Sequence, residues 1–345
     1  MPDTTFPAAD RYSRHVLLDR IGQEGQRKLA ASSALVLGCG SLGSSQAMLL
    51  ARAGVGRLVL ADRDIVEARN LPTQLLYDER DVAEGLPKAE AAARRLRAVN
   101  SGIAIEPVIA DVTAANISEL VAGADLVLDG TDNFETRYLL NDAAVKAGKP
   151  WVYGGVLGTD GMVMAVRPGR GACLRCLFDA PPDLGQSPTC DTFGVLNAAA
   201  AWVAALQVSE AIKLLLGGGD AGTSLHILDI WGGSATAVAA DRRAGCACCG
   251  ERRFDFLDSK RGSSSSAVFC GRNAVQITPE SRQAPDFGRL RERLTPLGAV
   301  RFNGMVLEFT AGDRRLVVFP DGRVLVEGTR DTAEARSLLA KYIGS

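Results

Sequence analysis

Gly38-Cys39-Gly40-Ser41-Leu42-Gly43 follows directly on the apolar run Ala34-Leu35-Val36-Leu37, and few arrangements restrict a chain so strongly. The run reads as a buried parallel strand. The G-x-G-x-x-G behind it lacks the Cβ atoms that would keep a backbone away from a pyrophosphate at a helix N-terminus. An alanine- and leucine-rich stretch from Ser44 to Ala53 supplies that helix, so the three pieces open a βαβ unit. Strand-like runs at 57–61, 103–109, 126–129 and 151–156 alternate with helical patterns at 87–99 and 134–147. The expected class is α/β, a Rossmann-like doubly wound, mainly parallel sheet. Asp62 ends the second strand, where an acidic side chain accepts hydrogen bonds from ribose hydroxyls. Up to this point NAD, FAD and ATP fit equally well.

Two C-x-x-C knuckles, Cys173/Cys176 and Cys246/Cys249, can close a tetrahedral site of four thiolates for a structural Zn²⁺. With 69 residues between the pairs, the metal would staple two distant segments. Cys248 competes for the fourth place, and spacing favours Cys249. Cys190 lies in the polar, proline-broken Ser187-Pro188-Thr189-Cys190-Asp191 just ahead of a long helix. It reads either as a thiol activated near a helix N-terminus or as a bystander. The two histidines, His15 and His226, make no catalytic arrangement.

A length of 345 residues suits a large core plus an appendage. The core is expected over 1–258. Residues 259–267, SKRGSSSSA, have linker composition. A small accessory α+β domain is expected over 268–345, with strands at 305–309, 315–319 and 324–327. Ala311-Gly312-Asp313 and Pro320-Asp321-Gly322 are its turns, and a helix over 331–342, capped by Thr329 or Asp331, closes it. The 39 basic and 40 acidic residues nearly cancel to a net charge of -1, so no overall basic field argues for nucleic acid. The start lacks a signal-peptide layout, and polar residues from Asn197 to Lys213 interrupt the most apolar stretch, 195–216. No membrane span and a cytoplasmic location are expected.

From Arg11-Tyr12-Ser13-Arg14 to about Leu257 the chain resembles the MoeB/ThiF/HesA adenylyltransferases, bacterial relatives of ubiquitin-activating enzymes. The resemblance rests on that start, the glycine turn, Asp62-Arg63-Asp64, Asn70-Leu71 with Gln74, Leu86-Pro87-Lys88-Ala89-Glu90, Asp129-Gly130-Thr131-Asp132-Asn133, both knuckles, Thr189-Cys190, and Leu206-Gln207 with Glu210-Ala211-Ile212-Lys213. It implies ATP-dependent adenylation of the C-terminal glycine carboxylate of a small ubiquitin-like sulfur-carrier protein ending in diglycine, with release of pyrophosphate. Thiamin, molybdopterin and thionucleoside synthesis all use such carriers. By position, the resemblance gives nucleotide contacts to Gly38, Gly40, Ser41, Gly43, Asp62, Asn70, Gln74, Lys88, Asp132 and Asn133. Asp62 would hold the ribose, Lys88 would neutralise triphosphate charge and Asp132 would hold Mg²⁺. Arg14 would reach the ATP of a second subunit, which implies a homodimer. Cys190 would form a thioester or persulfide with the carrier.

Three departures stand out. Thr73 occupies the place of a family arginine, Ser41 that of a frequent glycine, and no rhodanese is recognisable in 268–345. Either a nearby arginine substitutes, Arg69 being favoured over Arg14 from the partner chain, or adenylation is slow. Sulfur is expected from an external donor, a cysteine desulfurase or rhodanese. Two other classes remain: a catalytically weak carrier-binding scaffold, suggested by Thr73, and an NAD-dependent oxidoreductase, for which no acid/base pair is present.

Overall fold

A computed structural model describes residues 8–182, 193–217, 224–258, 266–268, 273–279 and 284–344. Cys190 and most of the serine-rich segment lie outside them. The chain forms two compact units, Met1–Glu79 with Lys88–Ser259, and Arg80–Pro87 with Lys260–Ser345.

The first unit is built on an eight-stranded sheet. Its strands are β1 (Ser33–Leu37), β2 (Arg57–Asp62), β3 (Ala104–Ile109), β4 (Leu126–Asp129), β5 (Trp151–Leu157), β6 (Asp160–Val166), β7 (Ser224–Asp229) and β8 (Ser234–Ala239). The order is β3-β2-β1-β4-β5-β6-β7-β8. The first five run parallel and the last three extend the sheet by antiparallel pairing. Ala34 to Leu37 are apolar throughout because β1 is central and covered on both faces, and each is at most 1% exposed. Strand order reverses between β1 and β4, and the crevice at such a switch point is where open α/β sheets take ligands. The glycine turn emerges there.

The doubly wound expectation holds, and β6–β8 are an antiparallel extension of three strands that the sequence pattern does not announce. The Asn197–Leu215 helix is long and apolar enough to cross a bilayer by length and composition. In this fold it packs on the Ser41–Ala53 helix and on β5 and β6, burying Ala199, Ala200, Val203, Ala204, Gln207 and Ala211.

The second unit is an antiparallel sheet of β9 (Ser266–Val268), β10 (Ala274–Ile277), β11 (Ala299–Phe302), β12 (Leu307–Ala311), β13 (Arg314–Val318) and β14 (Val324–Glu327), ordered β11-β12-β13-β14-β10-β9. Leu290 and Leu294 of the Phe287–Leu294 helix pack with Leu307, Phe309, Leu316, Val318 and Val326. Asp331 caps the Thr332–Tyr342 helix by accepting from Ala333 N at 2.8 Å, while Thr329 accepts from Asp331 N instead. Ser266 and Ala267, expected in the linker, belong to β9. Their backbone pairs with β10. The segment Arg80–Pro87 was not expected here at all. Arg301 donates to Ala83 O, and Asn303 Nδ2 to Glu84 O and Gly85 O at 3.1 and 2.9 Å.

Candidate functional site

The site starts at the turn between β1 and the Ser41–Ala53 helix. Gly38 has φ +87°, and a Cβ there would lie 2.7 Å from Gly130 O. A Cβ on Gly43 would lie 1.8 Å from Gly38 O. Both positions therefore require glycine so that the helix can begin against the loop after β4. Gly40 differs, since a Cβ there would meet no atom nearer than 3.9 Å. Packing within the chain does not demand glycine at 40, so the position is open to a ligand's close approach.

Asp62 organises this turn from the end of β2. One carboxylate oxygen accepts from Cys39 N at 2.6 Å and the other from Asp64 N at 2.7 Å. Burial pushes the Asp62 carboxyl up, an effect opposed by the nearby Lys88 ammonium. Lys88 opens the Lys88–Val99 helix, is only 4% exposed, and sets Nζ 3.4 Å from Asp64 Oδ2. The Tyr77 hydroxyl, not singled out from sequence, bridges the turn to that helix, 2.8 Å from Cys39 O and 3.2 Å from Lys88 O. Cys39 is buried, and burial pushes its thiol well up, so it stays protonated and serves packing.

A second segment lies along the helix start. Ser41 Oγ donates to Thr73 Oγ1 at 2.9 Å, and Leu75 N donates to Ser44 Oγ at 3.2 Å. Between them Gln74 is 7% exposed, with Oε1 buried and without a hydrogen-bond partner. Its Nε2 and Gly130 O are the atoms nearest the open side of Gly40, each 3.9 Å from where a Cβ would lie. A buried amide oxygen left unsatisfied beside a vacant glycine face suits a polar ligand. Asn70 turns inward and accepts from Glu67 N at 2.9 Å. Arg69 is exposed and ion-paired with Glu67. The Glu67 carboxylate two residues away holds the Arg69 guanidinium at the surface, and Ser41 lies beside Thr73.

Behind the turn, buried Asp129 at the end of β4 accepts from Arg137 Nε at 3.0 Å and from Thr131 N and Oγ1 at 2.9 and 2.7 Å. Arg137 also donates to Thr131 O and Gly154 O. Gln46 and Gln207 meet at 2.6 Å, and each donates to Asp129 O. This buried network holds the loop that displays Asp132, which is exposed and within electrostatic reach of Arg63 and Arg137. Asn133 caps the Phe134–Ala147 helix by accepting from Thr136 N at 2.8 Å. Gln207 was visible only as part of a motif, and Arg137 carried no local signal.

Cys173, Cys176, Cys246 and Cys249 gather elsewhere in the unit, their sulfurs all within 4.8 Å of one another. Cys248 is instead the acceptor for Asn141 Nδ2 at 3.2 Å. The four could hold a metal ion. Burial, then the neighbouring Cys173, pushes the Cys249 thiol up. Arg14 sits exposed on the Ser13–Val16 helix.

A match to the ThiF family spans residues 12–248. The sulfur carrier protein ThiS adenylyltransferase of Bacillus subtilis (strain 168) is 43% identical over 337 residues, covering 97% of this chain and 99% of that protein. The sulfur carrier protein adenylyltransferase of Thermus thermophilus is 38% identical over 268 residues, covering 76% of this chain and 96% of that one. Among solved structures, E. coli MccB aligns with a TM-score of 0.62 at 23% identity, over 72% of this chain and 74% of that one. That last likeness concerns the fold alone.

Proposed function

The chain belongs to the ThiF family, and from that premise we propose that it adenylates the C-terminal carboxylate of a small ubiquitin-like sulfur carrier ending in diglycine. The observation that carries this reading is the buried Lys88, set beside Asp62 and Asp64 at the open glycine turn. A relative of matching length named for the same activity supports it.

A terminal carboxylate, with a pKa of about 3.5, is ionised at neutral pH and needs no general base. One of its oxygens attacks the α-phosphorus of ATP, an acyl-phosphate bond forms, and the bond to pyrophosphate breaks. The protein contributes position and charge. The backbone around Gly40 and the first turn of the Ser41–Ala53 helix receive phosphate oxygens. Asp62 holds the ribose, with both oxygens already aligned by Cys39 N and Asp64 N. Lys88 offsets triphosphate charge. Asp132 is the carboxylate placed to hold Mg²⁺, which when bound would neutralise phosphate charge. The exposed Arg14 reaches the nucleotide of a second copy in a homodimer. Zn²⁺ is the ion for the four cysteines. Six cysteines are free among the described residues, which suits a reducing cytoplasm.

Carrier-dependent ATP/pyrophosphate exchange over a panel of diglycine-ended carriers tests the reading. Exchange stimulated by one carrier is expected. Carrier binding without exchange would move the chain to the scaffold reading that Thr73 suggests. Cys190→Ala is expected to leave exchange intact and to impair sulfur transfer from an external donor, because adenylation occurs at phosphorus and a thiol acts only afterwards. Loss of exchange in a folded Cys190→Ala protein would refute that role.

We also propose that the second unit is an accessory domain. A chain ended after Asp258 is expected to keep binding ATP, since Gly40, Asp62, Gln74 and Lys88 all lie in the first unit. It should melt several degrees lower, because segment 80–87 loses Arg301 and Asn303 as donors. Titration with ATP and a thermal melt check both halves, and loss of ATP binding would contradict the division.

A further inference from the structure

We propose that Asn303, in the turn between β11 and β12, is a positioning residue for Lys88 and acts on it through the segment 80–87. This goes beyond the accessory-domain reading above and rests on the role given there to the Lys88 ammonium.

The short Glu79–Glu84 helix is closed by Gly85, which has φ +62°. Carbonyls of a last helical turn have no partner inside the helix. Two are taken locally, Val82 O by Gly85 N at 3.0 Å and Asp81 O by Leu86 N at 3.1 Å, as is usual where a helix ends on a left-handed glycine. The next three are taken by side chains 218 or 219 residues away. Arg301 donates to Ala83 O, and Asn303 Nδ2 donates to Glu84 O and Gly85 O at 3.1 and 2.9 Å. Gly85 also lies so close to β12 that a Cβ would stand 2.3 Å from Glu308 Oε1, and Arg315 holds that oxygen at 3.0 Å.

Only one orientation of the Asn303 amide satisfies both of its ends. Its Oδ1 accepts from Met305 N and Val306 N at 3.0 and 2.9 Å. A flipped amide would set its oxygen against two carbonyls and its nitrogen against two N–H groups, so the donor end must face the segment. Asn303 thus ties the turn of its own hairpin to Glu84 and Gly85, and only Leu86 and Pro87 separate Gly85 from Lys88. Leu86 is 2% exposed and proline fixes its own φ, so little slack remains along that stretch. Lys88 is the first residue of its helix, and the aim of its side chain follows the path of the chain that enters there. Asp64 O holds Lys88 from one side by accepting its N–H at 2.8 Å; the clamped segment holds it from the other. A charge that acts in a transition state is sensitive to such placement, since a shift of about 1 Å can cost about a hundredfold in rate.

The experiment measures carrier-dependent ATP/pyrophosphate exchange by the full-length chain, beside a thermal melt. Asn303→Asp keeps the size of the side chain and the oxygen that Met305 N and Val306 N use, but sets a second oxygen against the Glu84 and Gly85 carbonyls. It is expected to lower the maximal exchange rate about tenfold while the KM for ATP changes by no more than about twofold. Asn303→Ser, whose hydroxyl can still accept within the turn but is too short to reach the segment, should show the same loss, and it carries the comparison where Asn303→Asp fails to fold. In a Lys88→Ala background neither substitution should slow exchange further, because Asn303 acts only through Lys88. An unchanged rate in the folded variants overturns the proposal. So does a loss by the same factor in the Lys88→Ala background, or a loss accounted for by unfolded protein, either of which marks a merely structural role. If Lys88→Ala exchanged at the unaltered rate, or the unaltered chain showed no exchange, the reading of Lys88 would fall and this proposal with it; the other outcomes leave that reading standing.

Discussion

Lys88→Ala is expected to slow carrier-dependent ATP/pyrophosphate exchange by about a hundred- to a thousandfold while the protein remains folded. An ammonium that is 4% exposed has lost most of its hydration and depends on nearby negative charge, with Asp64 Oδ2 3.4 Å away and Asp62 within electrostatic reach. On the proposed reading a bound triphosphate would add negative charge beside this ammonium, with a larger effect than in water because the site is partly shielded. The fold should survive because the helix is tied down by its backbone. Lys88 N donates to Asp64 O at 2.8 Å, and Asp64 keeps 20% of its side chain exposed, so water can replace the lost partner. Lys88→Arg should not rescue the rate, since a planar guanidinium is bulkier and aims its donors differently. Initial rates with radiolabelled pyrophosphate, beside a thermal melt, check both statements. A folded Lys88→Ala protein within a few-fold of the unaltered rate would remove Lys88 from the chemistry.

The parts of this site that can be read from sequence are those set by short-range chemistry. An apolar run, three glycines and an alanine-rich stretch occupy about twenty contiguous residues, so β1, the turn and its helix follow directly. Asp62 and the Phe134–Ala147 helix follow in the same way from local pattern. Asp331 and Asn133 are caps because a short polar side chain can reach the backbone two or three residues on.

Other features depend on residues that meet only after folding. Gln46 and Gln207 stand 161 positions apart, and nothing in either neighbourhood announces that both will hold Asp129 O. The Ser41–Thr73 bond joins two positions that looked like separate departures from a family pattern. Arg69, which has the charge and the proximity in sequence, pairs with Glu67 two residues away, a partner that its place in the motif does not announce. Segment 80–87 reads as an ordinary loop and short helix. Its place with the second unit is decided by donors more than two hundred residues away, Arg301 and Asn303. Strands β6–β8 were missed for a related reason. Their partners are set by the sheet edge they join, which even the apolar Met162–Val166 of β6 does not announce, and every residue of β8 is exposed, so no hydrophobic run marks it.

Removing the metal from the cysteine cluster is expected to cost the protein its fold rather than its chemistry. Around a tetrahedral zinc with Zn–S bonds of about 2.3 Å the sulfurs lie about 3.8 Å apart. Here Cys173 and Cys176 are separated by 4.0 Å, Cys173 and Cys246 by 3.6 Å, and Cys176 and Cys249 by 3.4 Å. All four sulfurs sit in the same buried cluster as Trp151, Tyr153 and Phe254, so the metal would join the Leu174–Leu177 turn to the 246–249 knuckle from inside the core. Such a site supplies a metal-binding free energy on the order of 10 kcal/mol, comparable to the whole stability of a domain of this kind. One zinc per chain is therefore expected by elemental analysis of the purified protein. Cys173→Ala/Cys246→Ala should lose the metal and be largely insoluble or melt at a far lower temperature. Cys248→Ala should keep the metal, because that thiol is engaged by Asn141. The nucleotide turn is built from other residues, so any folded fraction of the double variant should still bind ATP. Protein that carries no stoichiometric metal and melts at an unchanged temperature in strong chelator would reduce the four cysteines to buried thiols that happen to be neighbours.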